Sequence, residues 1–169
     1  MKNTSYHSLF DNTDKREFYK TLHEQLKSLL ENETHPIPNL ANASALLNLA
    51  LTQINWVGFY LLKDGELVLG PFQGKPACIR IPVGKGVCGT AVAQAKSQLV
   101  PDVHAFPGHI ACDSESNSEI VIPIIANNRI VGVLDIDSPV YNRFDQTDLK
   151  GLEEVAQILA YSCNWNELV

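Results

Sequence analysis

Two short turn signals constrain the fold of this chain more than any other feature. Asp64-Gly65 and Asn127-Asn128 each separate two runs of apolar and β-branched residues. Such dipeptides tolerate the positive φ angles of the tight turns that join antiparallel strands. The sequence therefore predicts an antiparallel sheet, with the first three strands in a meander. The predicted strands cover residues 54–63, 67–72, 77–82, 99–103, 119–126 and 129–137.

Sequence patterns typical of helices lie before, between and after these strands. Residues 14–31 place apolar side chains on one face, and Thr13 or Asp14 can cap this helix. Asn39 is predicted to cap a second helix that runs to about Leu51, and residues 84–96 should form a glycine turn and a short helix. A last helix is predicted from Asp145. The apolar positions expected to be buried in the first helix are Phe18, Leu22, Leu26, Leu29 and Leu30.

The last helix carries a further local signal. Phe144 precedes its predicted cap and Leu149 lies one turn inside, which is the spacing of a hydrophobic staple. Helices around an antiparallel sheet indicate a domain of the α/β (α+β) class with about six strands. We expect an N-terminal arm at residues 1–13 and a single domain at 14–169.

Charge and composition exclude several classes of function. The 169 residues carry a formal net charge of -6 and no cluster of Lys and Arg, which argues against nucleic acid or an anionic membrane as partner. No stretch approaches the ~18 apolar residues of a spanning helix, and the N-terminus lacks the apolar core of a signal peptide. A cytoplasmic protein is expected. In that compartment the four cysteines stay reduced unless chemistry oxidises them.

Residues 84–89 match the pattern G-x-G-x-x-G, which is typical of dinucleotide-binding folds. That fold requires a parallel βαβ unit with an acidic residue about 20 positions on, whereas these strands form hairpins and Asp102 follows after 13. We reject the dinucleotide interpretation. The glycines either let a loop pass close to a ligand or only shape a turn.

Cys112 is the cysteine most suggestive of function, because it lies in the long irregular segment 104–117 together with His104 and His109. Long loops inside compact domains are more often functional than not. Buried, inert thiols remain an alternative for each cysteine. A zinc site is a weaker alternative, since its ligands would have to be Cys78, Cys88, Cys112 and His109, which lack close pairing.

Three carboxylates and two aromatic residues complete the set of candidates. Asp135 and Asp137 share one face of a predicted strand, and they either face water or line a polar pocket. Glu119 begins the neighbouring strand. Trp56 and Tyr60 share a face of the first strand, which an ordinary core explains as well as a ligand wall does.

Six motifs in the chain resemble one family closely. They are NWVGFY at 55–60, GPFQG at 70–74, ACIRIP at 77–82, GVCGTA at 86–91, HIACD at 109–113 and SNSE at 116–119. This pattern is similar to that of the GAF-domain free methionine-(R)-sulfoxide reductases. The resemblance runs from the first helix to the last. It implies a GAF fold and an enzyme that reduces free L-methionine (R)-sulfoxide to methionine.

The resemblance also implies roles for the thiols. Cys112 would attack the sulfoxide sulfur and become a sulfenic acid, Cys78 would condense with it, and thioredoxin would reduce the resulting disulfide. Cys88 matches an auxiliary cysteine of the family, whereas Cys163 matches nothing and is expected to be structural. The resemblance also implies a homodimer. No cofactor and no metal are expected.

The resemblance places the substrate among the acids and aromatics. Glu119, Asp135 and Asp137 match pocket carboxylates, of which one or more would hold the substrate ammonium and another would hydrogen-bond the sulfoxide. Trp56 would pack against the methyl group and Tyr60 would add a hydroxyl. Other GAF domains sense small ligands, so a free-standing sensor or a redox-switch module are the rival hypotheses.

Overall fold

The computed structural model describes residues 10–11, 14–110 and 112–168. The predicted arm at 1–13 lies outside these residues except for positions 10 and 11. The helices are α1 Lys15–Leu29, α2 Pro36–Ala50, α3 Gly86–Gln94 and α4 Gln146–Ser162. The strands are β1 Trp56–Lys63, β2 Glu66–Gly74, β3 Arg80–Pro82, β4 Gln98–Val100, β5 Ser118–Ala126 and β6 Arg129–Ser138.

The strands form one six-stranded sheet in the order β3-β2-β1-β6-β5-β4, and every neighbouring pair is antiparallel. The predicted α/β (α+β) class, the number of strands and the initial meander are confirmed. Both predicted hairpin turns adopt positive φ, with values of 52° and 81° at Asp64 and Gly65 and of 51° and 59° at Asn127 and Asn128. These turns fix the register of two of the five strand pairs.

The two faces of the sheet build two separate cores. Side chains alternate along β1, so Val57 and Phe59 pack with α1, α2 and α4 on one face. Trp56 and Tyr60 point to the other face, where they pack with Val87 of α3. In the described part of the chain, α3 and a short 3-10 helix at Val103–Ala105 contribute residues to the core on the second face, and this side of the sheet also holds a pocket.

The buried face of α1 differs from the predicted one. Leu22, Leu26 and Leu30 are buried as expected, but Leu29 is exposed. Tyr19 and His23 take part in the contact with α4: the Tyr19 hydroxyl donates a 2.8 Å hydrogen bond to an Asp148 oxygen, and the His23 ring bonds the carbonyl of Gly151. Apolar periodicity alone misses a helix contact that includes polar partners.

The second helix begins four residues before the predicted position. Its N-cap is His35, whose Nδ1 accepts a hydrogen bond from the amide of Ile37. Pro36 occupies the first turn, where a missing amide hydrogen costs nothing. Asn39, the predicted cap, instead donates to the carbonyl of Glu33.

Three strands are shorter than predicted. β1 begins at Trp56, two residues later than predicted. β3 lacks residues 77–79, and the carbonyl of Cys78 accepts a hydrogen bond from the Tyr60 side chain. β4 ends at Val100 because Pro101 cannot donate to a ladder, and Asp102 then caps a short 3-10 helix. The start of α4 agrees with the prediction: Asp145 forms a capping box, and Phe144 and Leu149 join the same core.

Candidate active site

A disulfide joins Cys78 to Cys112, with the two Cα atoms 5.8 Å apart. This distance lies within the range of about 4.4 to 6.8 Å that disulfide geometry allows. Cys78 lies just before β3 and is partly buried, whereas Cys112 lies on the long loop and is exposed. Cys112 is therefore more accessible to solvent than Cys78.

The disulfide borders a pocket on the sheet face that α3 partly covers. The eight predicted site residues converge here: seven of them line the pocket, and Cys78 reaches it through its bond to Cys112. The seven are Trp56, Tyr60, Cys88, Cys112, Glu119, Asp135 and Asp137. The pocket is about 40 Å³ in this disulfide form, roughly the space of a water molecule or two.

Sheet register explains why the carboxylates meet. Glu119 of β5 pairs with Asp137 of β6, and Asp137 pairs in turn with Trp56 of β1. Paired residues in an antiparallel sheet project to the same face, so these three side chains form a row across three strands. Asp135 lies two residues before Asp137 and therefore projects to the same face.

The environment of the three carboxyl groups favours their protonated forms over their charged forms. Burial, and then the charge of neighbouring carboxylates, raises the pKa of Glu119, Asp135 and Asp137 well above the ordinary range. Asp135 is only 6% exposed, Asp137 is partly buried, and both line the pocket, so the alternative in which these two acids face water is wrong. The pocket acids therefore keep their protons to a higher pH than exposed carboxyl groups do.

Cys88 lies among these acids and is fully enclosed. Burial raises the pKa of its thiol well above the ordinary value, and its hydrogen bond to Asp135 adds to this effect. A thiol that stays protonated is a poor nucleophile. Cys163 lies in the opposite core, where the side-chain amide of Asn39 donates to its sulfur over 3.6 Å.

The zinc site considered from the sequence does not form. Two of its four expected ligands, Cys78 and Cys112, are bonded to each other. His109 does line the pocket, with Nε2 3.7 Å from an oxygen of Glu119. His104 of the same loop is exposed and contacts Asn117 instead, outside the pocket.

Aromatic rings form one wall of the pocket. The ring of Trp56 stacks between Phe72 at 5.2 Å and Tyr60 at 5.9 Å, measured between centroids. The Trp56 indole donates to the carbonyl of Lys75, which fixes its orientation. The Tyr60 hydroxyl donates to the Cys78 carbonyl over 2.9 Å, so it positions the segment that carries Cys78.

Residues that the sequence did not single out anchor the loop of Cys112. The side-chain amide of Asn55 donates to Asp113 over 3.1 Å and to Ser116 over 3.0 Å. Lys75 forms ion pairs with Glu115 at 2.6 Å and with Asp113 at 3.7 Å. These contacts hold the loop beside the pocket. The one signal in the sequence was Asn55 itself, a poor strand former directly before an apolar strand.

The glycine pattern at 84–89 shapes both a turn and the pocket. Gly84 and Gly86 have φ angles of +84° and +61°, and a Cβ on Gly89 would lie 2.4 Å from the carbonyl oxygen of Pro82. Gly86 lines the pocket and touches Ile110 of the loop. The glycines therefore shape a turn, whereas the close approach of Gly86 to a ligand stays a prediction.

The raised acid pKa values predict how stability depends on pH. The folded state binds protons that the unfolded state has released above about pH 4, so the free energy of unfolding should fall as pH rises towards the folded pKa values. Asp135→Asn cannot ionise and should lose less stability over this range. Thermal unfolding of the disulfide form from pH 4 to 9 measures the difference. Glu24→Gln, on the exposed side of α1, is the control, and equal pH profiles for all three proteins would contradict the burial of an acid at position 135.

Comparisons with known proteins agree with this architecture. The GAF domain family matches residues 43–161, which confirms the expected GAF fold. The free methionine-R-sulfoxide reductase of Escherichia coli K12 is 59% identical over 146 residues, covering 86% of this chain and 88% of that protein. The Saccharomyces cerevisiae protein of the same name is 46% identical over 161 residues, covering 90% and 89%.

A solved structure gives the same result in three dimensions. The free methionine-R-sulfoxide reductase from Neisseria meningitidis, in complex with its substrate, superposes with a TM-score of 0.89 at 45% identity, covering 95% of this chain and 97% of that one. Among the described residues, no helix combines the length and apolar character needed to cross a bilayer. By sequence and by fold, the chain belongs to the GAF-domain free methionine-R-sulfoxide reductases.

Proposed function

We propose that this chain reduces free L-methionine (R)-sulfoxide to L-methionine, with Cys112 as nucleophile and Cys78 as resolving thiol. The observation that carries this proposal is the disulfide between these two residues at the border of a pocket lined by buried carboxyl groups. The relatives bear the name of this activity, and the N. meningitidis structure contains its substrate.

The reaction balances as two thiol steps. The thiolate of Cys112 attacks the sulfoxide sulfur, methionine leaves, and the sulfoxide oxygen ends on Cys112 as a sulfenic acid. The thiol of Cys78 then displaces that oxygen as water and forms the disulfide. Two electrons from the two cysteines thus reduce one sulfoxide.

The acids serve the first step, because the sulfoxide oxygen must be protonated as its bond to sulfur breaks. Glu119, Asp135 and Asp137 have raised pKa values that keep a proton available for it. A carboxylate that has released its proton can bind the substrate ammonium. The stacked ring of Trp56 offers an apolar surface to the methyl group.

The disulfide must be reduced before another turnover. Thioredoxin, a protein dithiol, is the proposed reductant, and the exposure of Cys112 supports access to the bond. Cys88 cannot take over without rearrangement, since it is enclosed and protonated. We further propose that the protein works in the cytoplasm as a homodimer.

Thiol counting tests the proposal directly. The reduced protein is mixed with free methionine (R)-sulfoxide, and free thiols and methionine are measured together. Two thiols should disappear for each methionine formed, and peptide mapping should find Cys78 linked to Cys112. A sensor would bind the sulfoxide without losing thiols, and a redox switch would lose thiols to peroxide without forming methionine.

A further inference from the structure

Cys88, Glu119 and Asp135 form a group whose chemistry goes beyond proton storage. One sulfur and two carboxylate oxygens of these residues lie within 4.8 Å of one another, and all three residues are buried. Three groups that can each become anionic do not remain together in a buried site unless protons or a cation neutralise them. Protons can neutralise the negative charge of this cluster, and a bound metal ion can do the same.

An unpartnered atom points to a ligand at the same place. Oδ1 of Asp135 is buried and has no hydrogen-bond partner among the described residues. Such orphaned polar atoms are rare in native structures and commonly mark a missing water, ion or ligand. The carboxyl group as a whole is hydrogen-bonded to both other members, the Cys88 thiol and Glu119, so Asp135 is the centre of the cluster.

The donor types select the class of ion. A thiolate, two carboxylates and an imidazole are the ligands of tetrahedral zinc sites, whereas magnesium and calcium require oxygen donors alone. His109 can supply the imidazole if its ring moves towards the group, since its Nε2 is 3.7 Å from an oxygen of Glu119 but lies outside the three donor atoms that are within 4.8 Å of one another.

We propose that Cys88, Glu119 and Asp135, joined by His109, bind one Zn²⁺ ion inside the pocket and thereby block it. The ion replaces the protons of the thiol and the carboxyl groups, and it occupies the space beside the acids that hold the proposed substrate. Binding needs neither Cys78 nor Cys112, so it persists when these two are joined in the disulfide.

The test uses the oxidised protein, in which Cys88 and Cys163 are the only free thiols among the four cysteines. Zinc chloride is titrated in competition with a chromophoric chelator. We expect one Zn²⁺ per chain, at least tenfold weaker binding in Cys88→Ser and Asp135→Asn, and an unchanged affinity in the matched control Cys163→Ser. Magnesium chloride should not compete.

Cobalt provides a second readout that does not depend on the variants folding. Co²⁺ bound to the oxidised wild-type protein should show a thiolate-to-cobalt charge-transfer band, and the same band should persist in Cys163→Ser. No zinc uptake, uptake that Cys88→Ser leaves unchanged, or cobalt binding without that band would overturn the proposal. Because the oxidised protein cannot turn over, none of these outcomes bears on the proposed reductase activity.

Discussion

Cys112→Ser should form no detectable methionine from free methionine (R)-sulfoxide, even in a single turnover with all other thiols reduced. A serine hydroxyl is essentially un-ionised near neutral pH and is too weak a nucleophile for this attack. The thiol of Cys88 cannot replace Cys112, because burial and the neighbouring acids keep it protonated. The expected loss is at least about a thousandfold, as for other enzymes that lose a nucleophile.

Cys78→Ser should behave differently, since it removes only the second step. It should form one methionine per chain and stop, leaving Cys112 as a sulfenic acid that mass spectrometry detects as one added oxygen. Cys163→Ser is the matched control and should turn over normally, because Cys163 lies in the core on the other face of the sheet.

Two outcomes would contradict this division of roles. Methionine formation by Cys112→Ser would place the nucleophile elsewhere. Normal turnover of Cys78→Ser with thioredoxin would make Cys88 the resolving thiol, since Cys88 lines the same pocket as Cys112.

The positions of the acids could be predicted from the sequence to the extent that local rules decide them. Alternation along β6 placed Asp135 and Asp137 on one face, and the turn residues Asn127 and Asn128 set the pairing that brings Glu119 beside them. Local rules could not show whether that face is buried. Burial depends on where α3 and the loop pack, which is a property of the whole fold.

For a related reason, local sequence rules could not predict the contacts that anchor the loop of Cys112. Asn55 and Ser116 are 61 positions apart, and no periodicity connects them. The same holds for Tyr19 and Asp148, whose hydrogen bond brings α1 against α4 across 129 positions. A side chain that hydrogen-bonds a distant partner has no local signature, so the sequence identifies the reacting residues more readily than those that position them.

The number of acids in the pocket also predicts what the enzyme rejects. One carboxyl group suffices to protonate the departing oxygen, yet Glu119, Asp135 and Asp137 all line the same pocket. The further negative charge can bind the α-ammonium of a free amino acid. A charge-assisted contact of this kind contributes roughly 1.5 to 3 kcal/mol.

N-acetyl methionine (R)-sulfoxide lacks that ammonium and should therefore be a poor substrate. It would leave a carboxylate unpaired in a buried site, and its acetyl group would have to pass the loop that Asn55 and Lys75 hold beside the pocket. Together these effects should lower kcat/KM by at least about a hundredfold, since each 1.4 kcal/mol is a factor of ten. The measurement compares the free and acetylated R epimers with thioredoxin as reductant. Comparable rates on both substrates would show that the carboxylates do not recognise the ammonium, and the assignment to free amino acids would then be wrong.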